Sequence, residues 1–236
     1  MNQATGTLYG IGVGPGDPDL IPVKAVKVLN RVDLIFAASS TKNHHSRAVE
    51  IARPHLPETA RVRMLSFPMT KDPAARRESW RRHAVTIIAE LRRGRDAAFI
   101  TLGDCLTYAT YGYILQAIQE LAPEIRVVTI PGITSYQAAA ARINLPLVEG
   151  EQSLLVLSGA EGGDNLRQAC SCAENVVIMK AYRNTEDIVD ALEEAGMLSA
   201  SVAVANLGME DEKVIRDVAS LARRRPGYWT LVIAKK

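Results

Sequence analysis

A short segment near the start of the chain, Leu8–Leu20, constrains the fold more than any other stretch. It reads LYGIGVGPGDPDL, an apolar run with interspersed glycine followed by a glycine- and proline-rich turn. The apolar run is typical of a buried parallel strand, and the spacing from Leu20 onward predicts a helix with Asp19 as its N-cap. A strand, a glycine loop and a helix place bare backbone at the carboxyl edge of a sheet, where open α/β sheets bind ligands.

The glycines of this segment do not fit a phosphate-binding fingerprint. A GxGxxG frame that starts at Gly10 meets Pro15 where it needs glycine, and a frame that starts at Gly12 meets Asp17. The pattern GxxxxGK[ST] does not occur in the sequence. From this segment alone, a ligand-binding loop and a tight turn without a ligand both stay open.

The rest of the chain alternates apolar runs with helical patterns. Further strands are predicted at residues 34–39, 61–67, 97–102 and 125–130, and the longest helix at 72–95. This alternation favours a parallel sheet. Later strands are predicted at 154–158, 176–180, 202–206, 213–218 and 229–234, and the close spacing of the last ones favours antiparallel pairing. The fold class is therefore α/β with two α/β domains: residues 1–131 with a mostly parallel five-stranded sheet, and residues 132–236 with a mixed sheet.

Composition limits the partners and the compartment. The net charge of +2 over 236 residues gives no field that would favour nucleic acid. The sequence has neither a signal peptide nor an apolar run long enough for a membrane span, and its three cysteines form no disulfide framework. We therefore expect a cytoplasmic protein without nucleic-acid or membrane partners.

No metal site is predicted. The sequence has no HExxH motif and no pair of CxxC motifs. His44 and His45 are neighbours in the chain, and side chains of adjacent residues seldom face one metal ion.

Polar residues follow several of the predicted strands. Asp104 follows the strand at 97–102, and it either accepts backbone N–H groups to hold its loop or takes part in proton transfer. Thr134 and Ser135 open a helix and bring hydroxyls and N–H groups to the same kind of strand end. Asn206 occupies a similar position in the second domain.

Four motifs in order resemble a known family. They are GVGPGDPDL, LGD at Leu102–Asp104, PGITS at Pro131–Ser135 and ANLGMEDEKV at Ala205–Val214. Together they resemble the tetrapyrrole methylases, the class III S-adenosylmethionine-dependent methyltransferases, over nearly the whole chain. The sequence departs from the family pattern at Cys105, where the family usually has proline.

The resemblance implies an architecture, a cofactor and a substrate. Members of the family have two α/β domains with S-adenosyl-L-methionine in the cleft between them, release S-adenosyl-L-homocysteine and usually form homodimers. The stretches FPMT at Phe67–Thr70, the helix around Trp80 and TLGDCLTYATYGY at Thr101–Tyr113 are most similar to members that methylate C20 of precorrin-2 or its cobalt form in cobalamin biosynthesis.

The resemblance also implies site residues, position by position. Cofactor contacts would come from Pro15, Leu102, Gly103, Asp104, Thr107, Thr134, Ser135, Tyr182, Ala205, Asn206 and Thr230. Substrate contacts would come from Gly14, Gly16 and Asp17. Asp104 is the candidate catalytic residue, as the carboxylate best placed to accept the proton from the methylated carbon. The substrate is a polycarboxylate. The helix predicted at 72–95, which is rich in arginine, would therefore form a basic rim for its carboxylates together with Lys42, Arg47 and Lys71.

Other readings remain open. Within the family, the chain could instead methylate C2 and C7 of uroporphyrinogen III or C11 of precorrin-4. A class I methyltransferase would need an acidic residue where Tyr9 stands. A nucleotide-binding module without catalysis would bind the cofactor and transfer no methyl group.

Overall fold

The computed structural model describes residues 4–40 and 45–236, which divide into two compact units on either side of the Thr134–Ser135 bond. In the first unit the elements are β1 (Leu8–Gly12), α1 (Val23–Leu29), β2 (Leu34–Ser40), α2 (Arg47–Ala52), β3 (Val62–Phe67), α3 (Pro73–Leu91), β4 (Ala97–Thr101), α4 (Thr110–Leu121) and β5 (Val127–Ile130). In the second they are α5 (Ser135–Ile143), β6 (Leu154–Ser158), α6 (Asp164–Ala169), β7 (Asn175–Met179), α7 (Thr185–Glu194), β8 (Val202–Ala205), β9 (Lys213–Ile215) and β10 (Thr230–Lys235). The predicted α/β fold class is confirmed.

The first unit is built on a parallel sheet with strand order β3-β2-β4-β1-β5. Alternate side chains of β4 enter the two core layers of this unit. Phe99 packs with α3 and α4 on one face, and Ile100 packs with α1 and α2 on the other. Full burial of each such side chain contributes about 1.5–3 kcal/mol. Because β4 and β1 are central, the loops that follow them lie next to each other at the carboxyl edge.

Helix α3 begins sharply for a local reason. Asp72 has extended backbone, its side chain accepts a hydrogen bond from the N–H of Ala74, and Pro73 occupies the first helical position. This arrangement satisfies one of the otherwise unpaired amides at the helix start. The helix ends at Leu91, four residues earlier than the sequence pattern predicted.

The second unit is built on a mixed sheet with strand order β6-β7-β10-β8-β9. Strands β6 and β7 are parallel, whereas β10 runs antiparallel to both of its neighbours, β7 and β8. The predicted antiparallel pairing of the last strands is thereby confirmed. Helix α7 buries Ile188 and Leu192, spaced one turn apart, against the core of this sheet. Among the described residues, no helix combines the length and the apolar character needed to cross a bilayer.

Candidate functional site

The loops after β1 and β4 are joined by a short antiparallel bridge. The N–H of Gly14 donates to the carbonyl of Gly103 over 3.2 Å, and the N–H of Gly103 donates to the carbonyl of Gly14 over 2.7 Å. Both residues have positive φ, 86° for Gly14 and 69° for Gly103, a conformation that favours glycine. The bridge brings the predicted residues Gly14, Pro15, Leu102, Gly103 and Asp104 together at one edge of the sheet.

The loop after β5 packs directly on this bridge. A Cβ on Gly12 would lie 2.5 Å from the Gly132 nitrogen and 2.6 Å from the Gly103 oxygen, and a Cβ on Gly132 would overlap the same oxygen. Three strand ends therefore meet backbone to backbone. We call this contact of Gly12, Gly14, Gly103 and Gly132 the glycine junction; a side chain at Gly12 or Gly132 would not fit in it.

Asp104 ties these loops together through both carboxylate oxygens. Oδ1 accepts hydrogen bonds from the N–H groups of Leu106 (2.8 Å) and Thr107 (3.0 Å) and from the Thr107 hydroxyl (3.2 Å). Oδ2 accepts from the N–H of Gly132 over 3.2 Å, which links the β4 loop to the β5 loop. Of the two roles left open by the sequence, this geometry supports that of holding the loop.

Cys105 packs beneath the same junction, on the side that faces the core. Its thiol is buried and donates a hydrogen bond to the carbonyl of Ile130, with Sγ 3.4 Å from the oxygen. Burial, and next the Asp104 carboxylate, raises the pKa of the thiol to about 11. The residue that replaces the family proline is thus an uncharged, buried packing group.

The segment after β1 departs from the predicted helix start. The side chain of Asp17 accepts from the N–H of Asp19 over 2.9 Å and caps a short 3-10 turn at Pro18–Leu20, and α1 begins only at Val23. Asp19 is therefore not an N-cap: it lies within the turn that Asp17 caps, and the residue before α1 is Pro22. Gly14, Pro15 and Gly16 are buried and Asp17 is half-buried.

The predicted site residues of the second unit also converge on one sheet edge. Thr230 pairs with Ala205 in the sheet register, its carbonyl accepts from the N–H of Ala181, and the N–H of Asn206 donates to the carbonyl of Trp229. Tyr182 follows directly after Ala181. These residues come from distant parts of the chain, and β10 brings them together by inserting between β7 and β8.

Two aromatic residues at this edge, Tyr228 and Trp229, were not predicted from the sequence. The Tyr182 and Tyr228 rings meet edge to face with centroids 4.9 Å apart, and Tyr228 meets Trp229 in the same way at 5.8 Å. Burial raises the pKa of Tyr228. The sequence feature that could have identified Tyr228 and Trp229 is their position immediately before the last strand, at the same sheet edge as Tyr182.

Thr134 and Ser135 fall on the two sides of the boundary between the units. Thr134 is buried at the end of the first unit, and Ser135 is the first residue of α5 in the second. Of the proposed basic rim, Lys42 lies outside the described residues, as does His44. Arg47 pairs with Glu50 of the same helix, with Nη1 2.8 Å from Oε2.

The titratable groups offer little for acid–base or metal chemistry. Within residues 4–40 and 45–236, no three His, Cys, Asp or Glu side chains are grouped to hold a metal ion. His83 is buried, its Nε2 lies 2.8 Å from the Ser66 carbonyl oxygen, and burial lowers its pKa. The arrangement is suited to binding and orienting ligands through backbone groups.

These features define the class of protein: an α/β protein whose strand-end loops meet at the carboxyl edge of a parallel sheet, the place where open α/β sheets bind ligands. Comparison with known proteins narrows the class. The model of the Tetrapyrrole (Corrin/Porphyrin) Methylases matches residues 7–222. The chain belongs to this family. It is therefore an enzyme that transfers methyl groups, and S-adenosylmethionine is its cofactor.

Individual relatives cover nearly all of the chain. The chain is 34% identical to a cobalt-precorrin-2 C(20)-methyltransferase of Salmonella typhimurium, over 98% of this chain and 97% of the relative. It is 32% identical to a precorrin-2 C(20)-methyltransferase of a Sinorhizobium species, over 97% of this chain and 94% of the relative. A solved uroporphyrin-III C-methyltransferase of Thermus thermophilus, complexed with S-adenosyl homocysteine, has the same fold, with a TM-score of 0.69, 19% identity, and coverage of 97% of each chain.

Proposed function

We propose that this protein is an S-adenosylmethionine-dependent C-methyltransferase that methylates C20 of precorrin-2 or of its cobalt form in cobalamin biosynthesis. The observation that carries the proposal is the similarity, at 34% and 32% identity over nearly whole chains, to relatives named for this reaction. One relative is named for the cobalt form and the other for precorrin-2, and their identities to this chain are nearly equal. The proposal therefore includes both forms of the substrate.

The proposed cofactor contacts are the residues that converge at the two sheet edges. In the first unit, backbone groups of Pro15, Leu102 and Gly103 lie at the glycine junction, beside Asp104, Thr107 and Thr134. In the second unit, Tyr182, Ala205, Asn206 and Thr230 surround the start of β10, and Ser135 opens α5. Gly14, Gly16 and Asp17 are proposed to contact the tetrapyrrole. The glycine junction fits this role because it lies at the carboxyl edge of the parallel sheet, where open α/β sheets bind ligands, and Gly132 is partly exposed there.

The residues of this site contribute to the reaction mainly by orienting the reactants, and acid–base catalysis matters less. The sulfonium of S-adenosylmethionine supplies an already activated methyl group. Holding the two reactants in line contributes on the order of 7–11 kcal/mol to lowering such a barrier. Asp104 supports this by fixing the β4 and β5 loops with both of its oxygens engaged. We therefore propose that Asp104 positions the cofactor loop and is not the base.

The experiment that tests this function incubates the purified protein with methyl-labelled S-adenosylmethionine and, separately, precorrin-2, cobalt-precorrin-2 and uroporphyrinogen III. We expect one methyl group to be added to precorrin-2 or its cobalt form, measured by product mass and located at C20 by NMR. Two methyl groups on uroporphyrinogen III would assign the chain to the C2/C7 reaction. Cofactor binding without transfer to any of the three would support the non-catalytic alternative.

We also propose that the protein is a cytoplasmic homodimer, which rests on the family resemblance. Sedimentation at micromolar concentration tests the dimer, and a single monomeric species would contradict it. Calorimetry in the presence of EDTA tests a further expectation, that S-adenosylmethionine and S-adenosylhomocysteine share one site without a divalent ion. Binding that requires added metal would contradict that expectation.

A further inference from the structure

The first turns of α3 project beyond the sheet. The Nε2 atom of His83 lies 2.8 Å from the carbonyl oxygen of Ser66, one residue before the end of β3. At the other end, the N–H of Gly6 donates to the carbonyl of Leu91, so the helix runs back to the amino edge. The ten residues Pro73–Arg82 precede His83, and at 1.5 Å per residue they extend about 15 Å past the level of Ser66. We call Pro73–Arg82 the projecting segment.

The arginines of α3 and of the turn that follows it differ in charge pairing between the two ends. Near the amino edge, Arg92 pairs with Glu124 at 2.7 Å, and Arg93 and Arg95 both pair with the buried Glu90, at 2.8 and 2.6 Å. In the projecting segment, Arg76 and Arg77 are exposed. Within the described part of the chain, the guanidinium of neither one has an ion-pair or hydrogen-bond partner. Of these arginines, the two without a charge partner therefore lie at the carboxyl edge, the same edge as the glycine junction.

Aromatic and apolar side chains lie beside these arginines. Trp80, one turn after Arg76 and Arg77 on the helix, stacks on Tyr113 of α4 with ring centroids 4.0 Å apart and planes within 2°. Tyr113 is nevertheless 47% exposed. Met69 in the loop after β3 is 70% exposed, and Leu106 in the loop after β4 is 60% exposed. The carboxyl edge thus carries a stacked aromatic pair and two exposed apolar side chains as well as the unpaired guanidinium groups.

We propose that Arg76 and Arg77 bind peripheral carboxylates of the tetrapyrrole while the Trp80–Tyr113 pair lies against its macrocycle. This inference rests on the proposed function, and it identifies which part of the arginine-rich helix serves the substrate. Charge complementarity selects this occupant over a second copy of the chain. The projecting segment contains four arginines and one glutamate, so two copies facing each other would bring like charges together.

The test compares two double variants that remove the same charge. Arg76→Gln/Arg77→Gln changes the projecting segment and keeps good helix formers. The control is Arg61→Gln/Arg126→Gln, which removes exposed arginines immediately before β3 and β5 at the opposite edge of the same sheet. The measurements are KM and kcat with precorrin-2 at several salt concentrations, the Kd of S-adenosylhomocysteine, and the Kd of uroporphyrin III, a stable tetrapyrrole polycarboxylate.

For Arg76→Gln/Arg77→Gln we expect KM for precorrin-2 and Kd for uroporphyrin III to rise about tenfold, since two exposed charge pairs are lost. The salt dependence of both constants should weaken, while kcat and the affinity for S-adenosylhomocysteine stay within about twofold. The control should match the wild-type protein in every measurement. This pattern would support the proposal.

Equal KM, Kd and salt dependence in the two double variants would overturn the inference. So would a loss of self-association in Arg76→Gln/Arg77→Gln, seen by sedimentation, with unchanged uroporphyrin affinity, because the segment would then serve an interface between copies. Failure of the proposed function is a separate result: the wild-type protein would not methylate precorrin-2 or its cobalt form, while uroporphyrin binding would still report on Arg76 and Arg77.

Discussion

At the scale of single residues, Gly10, Gly12 and Gly14 of the Leu8–Leu20 segment each occur for a different physical reason. Gly10 lies in β1, where a Cβ would overlap the ring of the buried Tyr111. Gly12 allows the β4 and β5 loops to approach, and Gly14 adopts the positive φ that its bridge to Gly103 requires. A regular GxGxG spacing therefore reflects core packing, backbone approach and turn conformation, and not a phosphate cradle.

Asp104→Asn separates the two roles of this residue. The amide oxygen can replace Oδ1, but the amide NH₂ would then face the N–H of Gly132, so one hydrogen bond becomes a contact between two donors. We expect the free energy of unfolding to fall by about 1–3 kcal/mol and cofactor affinity to fall modestly. Single-turnover methylation by the cofactor-saturated variant should stay within about tenfold of wild type. A loss of roughly 10²–10⁴ at intact cofactor affinity would identify Asp104 as a general base.

Cys105 should be chemically silent in the folded protein. With a pKa of about 11, about a thousandth of the thiol is ionised at pH 8, and the side chain is buried. We expect iodoacetamide at pH 8 to leave the Cys105 peptide unmodified in the native protein and to label it after unfolding, as measured by mass spectrometry. The exposed Cys172 serves as the internal control. Rapid native labelling of Cys105 would mean that the loop opens far more readily than its packing indicates.

At the scale of elements, the proposed site depends on how closely three strand ends approach. The loops after β1, β4 and β5 are held by the Gly14–Gly103 bridge and by the Asp104 contact to Gly132. Because the Gly14–Gly103 bridge and the close approach of Gly12 and Gly132 are between backbone groups, side-chain rotation cannot adjust their geometry. The junction is therefore expected to be stiff and sensitive to the addition of a single carbon.

Gly132→Ala tests this junction. The new Cβ would overlap the carbonyl oxygen of Gly103, so the loops must separate, at a cost of about 1–3 kcal/mol or more in unfolding free energy. We expect the affinity for S-adenosylhomocysteine to fall at least tenfold, measured by calorimetry.

The matched control for this prediction is Gly112→Ala. Gly112 lies in α4, and a Cβ there meets no atom within 4 Å. This change should leave cofactor affinity unchanged and stabilise the protein by up to about 1 kcal/mol, since alanine is the better helix former. Wild-type cofactor affinity in Gly132→Ala would show that the junction does not take part in binding.

At the scale of the whole molecule, the two units differ in how their sheets are secured. The first is a parallel sheet covered by helices on both faces, and its central strand β4 is completely buried. The sheet of the second unit is stabilised in part by side-chain hydrogen bonds at its edge. Glu174, next to β7, accepts from the hydroxyl and the N–H of Ser153, which precedes β6.

These hydrogen bonds to Glu174 predict an acid-sensitive contribution to stability. Hydrogen bonds from the Ser153 side chain, and next from its N–H, lower the pKa of Glu174 from 4.5 to about 2. Because the folded pKa is depressed, the contribution is fully present above about pH 4.5 and is lost as the pH falls toward 2. In urea titrations, the urea concentration at the unfolding midpoint should therefore decrease more steeply with falling pH for the wild type than for Glu174→Gln. The control is Glu186→Gln at an exposed position, for which the midpoint should depend on pH as steeply as in the wild type. Parallel pH profiles for wild type and Glu174→Gln would contradict the prediction.

The sequence by itself determined the elements and the family. Strands show as short apolar runs and helices as apolar spacing of three and four residues, and both signals are local. The order of four motifs identified the tetrapyrrole methylases, a membership that the family model confirms over residues 7–222. Boundaries moved by a few residues, as in α3, and the start of α1 shifted to Val23 because Asp17 caps a preceding turn.

Only the tertiary structure decided which of these residues meet, because contacts between distant segments leave no local pattern. The carboxylate of Asp104 reaches the N–H of Gly132, and the late strand β10 pairs Thr230 with Ala205. The arginines of α3 and of the turn after it look alike in sequence, yet packing gives those near the amino edge carboxylate partners and leaves Arg76 and Arg77 exposed at the other end. Local periodicity fixes an element, whereas long-range pairing fixes the environment of each side chain, and the chemistry of the site depends on that environment.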